Sequence, residues 1–399
     1  MKEYVSLEEE VRCDYFITRE QKKIWNIEID LLLKFMDVCN KNNLKYFVAH
    51  GTLLGAVRHG GFIPWDDDID VNMPREDYEK LKEIADREFK EPFFFQTFDS
   101  DKECFNGIGK LRTSIATGMD LQDIGRNCNN GLYIDIFPMD GIIEDEKLRH
   151  KQSSKVEFYR GLLMAKIYGS NHNYLLQFDK RKWNTYKFLS RFCSMEFLNK
   201  KFDAWCRKYT NKDSIREGVI SFITDYECCY WYKEDYNELV YLDFEGIKVP
   251  APKNYDRCLK IKWNNYMEYP PIEKRGYKHN DVILDPDIPY NEYDESKFRI
   301  DMKNDTKEII LFGAGNIAIE FIKQYRSKVH FAFIVDNDPK KWGKRLLNVE
   351  IKSPDIIKKE GILEKRKLIV TSMFYKDIEK QLKEVGLEKY SIYLPGRKY

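Results

Sequence analysis

Four carboxylates fall within five positions, at Asp66, Asp67, Asp68 and Asp70, and their surroundings are apolar: Phe62, Ile63, Pro64 and Trp65 before, Ile69, Val71 and Met73 within and after. A short acidic run is ordinarily a solvated turn, but these neighbours draw the segment inward. As a strand, Ile69-Asp70-Val71 sends Asp68 and Asp70 to one face and Asp67 and Ile69 to the other. A third carboxylate, Asp135, sits in a further strand-like run from Leu132 to Pro138, which Pro138 should stop. Carboxylates ~4 Å apart repel by ~4 kcal/mol at an effective dielectric near 20. Such a cluster is tolerable only around a proton or a hard divalent cation such as Mg²⁺.

The segments before the acids supply the other half of a site. Apolar residues from Ile24 to Val38 recur at helical spacing between Gln21 and Asn40, and Tyr46 to Ala49 reads as a short strand. It runs into His50-Gly51-Thr52, a tight turn opening a helix, where free backbone N–H groups and the missing side chain of Gly51 suit a phosphate. Arg75 to Phe89 is a further helix. Residues from about 145 to 235, rich in Lys, Arg and aromatics, are expected to form a helical insertion.

Lys+Arg 67 against Asp+Glu 66 leaves a net charge of +1, so no global field steers the chain toward nucleic acid, and any anion must be caught locally. No stretch approaches the roughly 20 apolar residues of a spanning helix, and the N-terminal residues lack a signal-like apolar region. A cytoplasmic location is expected. The nine cysteines are scattered without a CxxC pair, which argues against both a zinc site and a disulfide framework.

The run HGTLLGAVRHGGFIPWDDDIDV, from His50 to Val71, resembles the LicD family, known from bacterial phosphocholine transfer and related to fukutin-type proteins. The resemblance continues at Tyr78, Ile108 to Arg112, Asp135 to Asp140, Val249 to Tyr255, Tyr266 and Pro270 to His279. One departure is Trp263-Asn264-Asn265-Tyr266, where relatives often read Tyr-Gly-Asp-Tyr, and this stretch is left out of the expected site. The resemblance implies an α+β nucleotidyltransferase-like mixed sheet with a helical insertion. It implies Asp68, Asp70 and Asp135 as catalytic metal ligands for Mg²⁺ or Mn²⁺. Gly51, Thr52, Arg58, Lys110 and Arg112 become donor-phosphate contacts, with His50, Asp67, Asp140 and His279 as further candidates. The implied reaction moves a phospho-alcohol group, phosphocholine first, from CDP-choline or a related CDP-alcohol to a hydroxyl of a glycan precursor. A lipid-linked acceptor would bring the enzyme peripherally to a membrane surface. Nucleotidyl transfer to an acceptor, or a non-catalytic nucleotide-binding module, stay open as alternatives.

The chain is long enough for two domains. The first is expected over residues 1–290, an exposed linker over 291–304, and a small α/β Rossmann-like domain over 305–399. In the last, a strand from Lys307 leads into Gly313-x-Gly315-x-x-Ala318 and a helix. A second strand ends at Asp336, about 20 residues beyond Gly313, as a dinucleotide-binding βαβ unit requires. Gly313, Gly315 and Asp336 are its candidate nucleotide contacts, with a purely structural role left open.

Overall fold

The computed structural model describes residues 3–105, 107–169, 180–210, 214–221, 230–275, 282–298, 300, 308–359, 361–372 and 374–393. The chain divides into two compact units, the first spanning Met1–Gly169 and Lys180–Tyr293, the second built mainly from Asp294–Tyr399.

The first unit opens with a hairpin, β1 (Glu10–Arg12) and β2 (Tyr15–Ile17), followed by α1 (Arg19–Lys41). Thr18 caps α1 by accepting the Gln21 N–H at 3.2 Å. Ile24, Ile27, Leu31, Phe35 and Val38 form its buried stripe, and the helix packs on the strands Gly109–Asp120 and Gly131–Ile142. Next come β3 (Phe47–Val48), α2 (His50–His59), β4 (Asp70–Pro74), α3 (Arg75–Glu88), β5 (Phe93–Gln96), β6 (Gly109–Asp120) and β7 (Gly131–Ile142). The main sheet runs β12 (Val282–Asp285), β6, β7, β4, β3, with β5 on β6 and β8 (Arg216–Gly218) on β7. It is mixed: β4 lies parallel to β7, and β6 runs antiparallel to both β7 and β12. Leu132, Ile134 and Ile136 alternate into the core at 0% exposure, which leaves Tyr133 and Asp135 on the other face.

Two expectations are corrected here. Pro138 does not stop β7, which continues to Ile142. Pairing with β6 ends at Ile136 and pairing with β8 (Arg216–Gly218) starts at Asp140, so the missing N–H of Pro138 falls where no antiparallel partner needs it. Among the described residues the α-helices of the insertion are α4 (Glu146–Tyr168), α5 (Lys180–Ser190) and α6 (Met195–Cys206), after which the chain returns to β8 and β9 (Trp231–Tyr232) and a 3-10 turn at Lys233–Tyr236. The hairpin β10 (Leu239–Phe244) and β11 (Ile247–Pro252), α7 (Tyr255–Trp263) and β12 (Val282–Asp285) complete this unit.

In the second unit, β13 (Glu308–Phe312), α8 (Asn316–Tyr325), β14 (Phe331–Val335), β15 (Arg345–Leu346), β16 (Val349–Lys352), β17 (Arg366–Val370), α9 (Tyr375–Glu384) and β18 (Ser391–Ile392) follow in order. Its sheet runs β15-β16-β14-β13-β17-β18, parallel throughout except for the edge strand β15. The expected exposed linker is only partly one, because Phe298 and Ile300 are buried, Ile300 within this unit's core.

Candidate active site

The acidic run is held from beneath by α1. Trp25 Nε1–H donates to the Asp66 carbonyl at 3.2 Å and Gln21 Nε2–H to the Pro64 carbonyl at 2.8 Å. The Asp66 N–H closes a turn on Ile63 O. This turn changes the expected geometry: β4 begins at Asp70, so Asp68 lies in the approach to the strand, and strand alternation does not govern it. Instead the carboxylates of Asp66, Asp67 and Asp68 converge, with oxygens within 4.8 Å of one another. Asp68 and Asp70 nevertheless both line one cleft. Asp70 is the register partner of Asp135 across the parallel β4–β7 pair, and the Asp135 N–H donates to Ile69 O at 2.9 Å. Neighbouring parallel residues share a face, so this register sets the two carboxylates side by side.

The start of α2 faces the acids. His50 adopts φ 45°, a left-handed conformation that costs an L-residue about 1–3 kcal/mol and belongs to sites where the backbone must be aimed. A Cβ on Gly51 would lie 2.6 Å from Asp66 Oδ2 and 4.0 Å from Asp70 Oδ2, so only glycine admits carboxylates this close to the helix N-terminus. The buried hydroxyl of Thr52 accepts the Asp70 N–H at 2.8 Å and fixes the start of β4. His50 Nδ1 lies 2.6 Å from Lys262 Nζ. Since an ammonium only donates, the ring accepts there. Burial, and then the Lys262 charge, hold the His50 imidazolium far below its usual range, so the ring is neutral and aims Lys262 at the cleft.

The expected phosphate contacts separate. Arg58 lines the cleft, but its guanidinium donates to Tyr266 O at 2.7 Å and Glu268 O at 3.1 Å, securing the opposite wall. Lys110 lies 3.4 Å from Asp120 and 3.9 Å from Asp135, and 3.5 Å above the Tyr133 ring, so it balances the acids. Arg112 is fully buried, donating to Gln96 Oε1, Gly118 O and Gly131 O, and cannot meet a donor phosphate. Asp140 is also a framework residue: it is 0% exposed, forms a two-pronged pair with Arg75 and accepts the Thr210 hydroxyl. Asp67 is buried within the acidic turn and does not line the cleft. His279 lies outside the described residues.

Two parts of the site escaped sequence reasoning. The stretch Trp263 to Tyr266, set aside for departing from the family pattern, forms the far wall of the cleft with Lys262, Glu268, Tyr269 and Lys274. Asn264 has φ 50° at the end of α7, a left-handed conformation that asparagine tolerates better than most residues. The cleft holds about 700 Å³. Glu28, on the buried face of α1, is 1% exposed, and its Oε2 has no hydrogen-bond partner among the described residues. Burial first, then the charges of Asp68, Asp67, Asp66 and Asp135, push its carboxyl well above the usual range. A glutamate in the middle of an apolar helical stripe was the available signal.

In the second unit, Gly313 has φ 105° and a Cβ there would lie 2.9 Å from Thr371 O, so the loop after β13 needs glycine. Gly315 is the N-cap of α8, with open space around it. Asp336 accepts the Ala314 N–H at 2.6 Å and the Asp338 N–H at 2.9 Å and pairs with Lys341 at 3.0 Å. The carboxylate expected for a ribose thus ties the loop to β14, and these bonds hold its carboxyl below the usual carboxylate range despite burial.

Residues 43–171 match the LicD/FKTN/FKRP nucleotidyltransferase domain, and residues 305–393 match a domain described as C2185-like, N-terminal. The lipopolysaccharide cholinephosphotransferase LicD of Haemophilus influenzae is 26% identical over 271 residues, 65% of this chain and 95% of that protein. The ribitol 5-phosphate transferase FKRP of Mus musculus is 29% identical over 119 residues, 29% of this chain and 21% of that protein. An uncharacterized protein of Rickettsia prowazekii, RP689, is 42% identical over 82 residues, 21% of this chain and 30% of that protein. This chain carries a LicD-family nucleotidyltransferase domain, homologous to the LicD choline phosphotransferase and to FKRP.

Proposed function

We propose that the first unit transfers a phospho-alcohol group, phosphocholine first among the candidates, from a CDP-activated donor to a hydroxyl of a cell-surface glycan precursor. The observation that carries this reading is the cleft in which Asp68 and Asp70 face the N-terminus of α2, with Asp135 beside Asp70 and Lys262 opposite. The acceptor oxygen forms a bond to the phosphorus bearing the alcohol, the bridging P–O bond breaks, cytidine monophosphate leaves, and the hydroxyl proton passes to solvent.

A magnesium or manganese ion fits this donor set, because the carboxylates are all hard oxygen ligands and Gly51 leaves room for them against a helix end. Asp68, Asp70 and Asp135 would hold it, and when bound it neutralises the pyrophosphate and the leaving phosphate. The chain's own groups do the rest. Lys262, oriented by neutral His50, offers a positive charge to the donor phosphates. Thr52 keeps Asp70 in place, and Arg58 holds the Tyr266–Glu268 wall against α2. We read the second unit as a Rossmann-like module whose Asp336 serves its own loop. Among the described residues no helix is long and apolar enough to cross a membrane, and a lipid-linked acceptor would be met at a membrane surface.

The test is incubation of the protein with labelled CDP-choline, CDP-ribitol and CDP-glycerol, each with Mg²⁺ or Mn²⁺, and a glycan acceptor. Free cytidine monophosphate with a phospho-alcohol on the acceptor supports the proposal. An acceptor carrying the nucleotide itself would replace it with nucleotidyl transfer.

A further inference from the structure

Two loops of the first unit bring together a set of side chains that the proposed chemistry does not use. Asp101 and Cys104 lie between β5 and β6, and Cys128 lies between β6 and β7. One donor atom of each comes within 4.8 Å of the others. The Cys104 thiol donates to Asp123 Oδ2 at 3.5 Å. Asp123 is 0% exposed, and its other oxygen, Oδ1, has no hydrogen-bond partner among the described residues. A buried carboxylate oxygen left unmatched beside the Cys104 thiol is costly unless a proton or a cation compensates it.

We propose that Asp101, Cys104 and Cys128 form a second divalent-metal site, backed by Asp123 through its bond to Cys104 and taking a borderline cation of the zinc class.

Two sulfurs exclude magnesium and calcium, which take oxygen ligands, and two cysteines with one carboxylate suit a four-coordinate zinc whose remaining position takes water. With Zn–S near ~2.3 Å, tetrahedral sulfurs sit ~3.8 Å apart, a contraction of about 1 Å at most from the present limit. The surroundings are those of a built site. Asp101 Oδ2 accepts Gln96 Nε2–H at 2.8 Å and the Asn129 N–H at 2.9 Å, and Gln96 is itself held by buried Arg112. Such outer bonds orient a ligating carboxylate. Arg126 clamps the same two loops by pairing with Glu103 at 3.0 Å and donating to the Glu103 and Ile167 carbonyls. The spacing Asp101-x-x-Cys104 replaces the first cysteine of a CxxC with aspartate, and Cys128 comes from a separate loop, which is why cysteine spacing gave no sign of it. A metal here would lock the ends of the β6–β7 pair that carries Lys110 and Asp135, acting on the scaffold and not on substrate.

The test uses the full chain purified under reducing conditions and desalted. Mass spectrometry should find one zinc per chain, and replacement by cobalt should give a thiolate-to-cobalt charge-transfer band. Both should vanish in Cys104→Ser and Cys128→Ser and persist in Asp68→Asn, which separates this site from the cleft. Asp123→Asn should weaken zinc by about 10–100-fold. Should the serine variants not fold, zinc-dependent protection of Cys128 from alkylation in the unaltered chain supports the site equally. Zinc content unchanged by both serine variants, a wild-type protein with neither zinc nor the cobalt band, or a Cys104–Cys128 disulfide in the reduced preparation would each overturn it.

Discussion

Replacing Asp140 by asparagine decides whether this residue belongs to the chemistry, as its place in the family motif suggested, or to the framework. Arg75 is 7% exposed and Asp140 0%, and the guanidinium grips both carboxylate oxygens, with Nε–Oδ1 at 2.8 Å. Breaking a buried ion pair by removing one charge costs about 3–5 kcal/mol, because the other charge stays buried. Here Glu79 at 3.2 Å and Asp203 at 3.4 Å keep part of the compensation, and asparagine can still accept from Thr210, so the low end applies, about 3 kcal/mol. At about 2–4 °C per kcal/mol for a domain of this class, the unfolding midpoint of the first unit should fall by roughly 6–12 °C. Far-ultraviolet circular dichroism reads the midpoint, and cytidine monophosphate release below it reads turnover per folded molecule, which should hold. The double variant Arg75→Met/Asp140→Leu should recover much of the stability, since an apolar pair of similar volume leaves no buried charge. A midpoint unchanged in Asp140→Asn together with lost turnover would refute the reasoning and return Asp140 to the active site.

The remaining expectations concern the acids and the cleft wall. Asp68→Asn and Asp70→Asn should each lower transfer by at least about 100-fold, since even outer-shell partners of a metal are worth 10–100-fold. In metal-free buffer Asp70→Asn should be no less stable than the parent, because its register partner Asp135 loses a like charge, and a clear drop in thermal midpoint would count against the shared-face geometry. In the folded protein burial and then the neighbouring aspartates hold the Glu28 carboxyl well above the usual carboxylate range, so the parent protein should lose stability as pH rises above that range. Denaturant titrations of Glu28→Gln should lack that loss; identical profiles would show that Glu28 is not the group. His59 is pushed down to about 4 by burial, then by Arg58 and Arg12, while its ring stacks on Tyr269. The unfolded chain therefore binds the proton more readily, and stability should fall as pH drops from about 6.5 to about 4. His59→Gln should remove this dependence in the same titration.

Much of the framework is local and therefore legible. The apolar spacing of Ile24 to Val38 specifies α1 through its 3.6-residue period, and the alternation around Ile134 and Ile136 specifies a strand with one buried face. Gly51 and Gly313 mark places where backbone approaches other atoms too closely for a side chain. The acidic run could be identified as a site because no apolar surroundings would hold it without compensation. Tertiary structure decided which charged groups face which. Asp135 reaches Asp70 through a parallel pairing that no local pattern encodes, and Glu28 joins the acids because α1 packs beneath the turn. Arg112 and Asp140 look like site residues in sequence and become internal ties once their strands are paired and buried. Lys262 and the Trp263–Tyr266 wall enter the cleft from a distant helix end. Periodicity reports on neighbours a few residues apart, whereas the charge balance of a buried site is set by groups that only the completed sheet and its covering helix bring within a few ångströms.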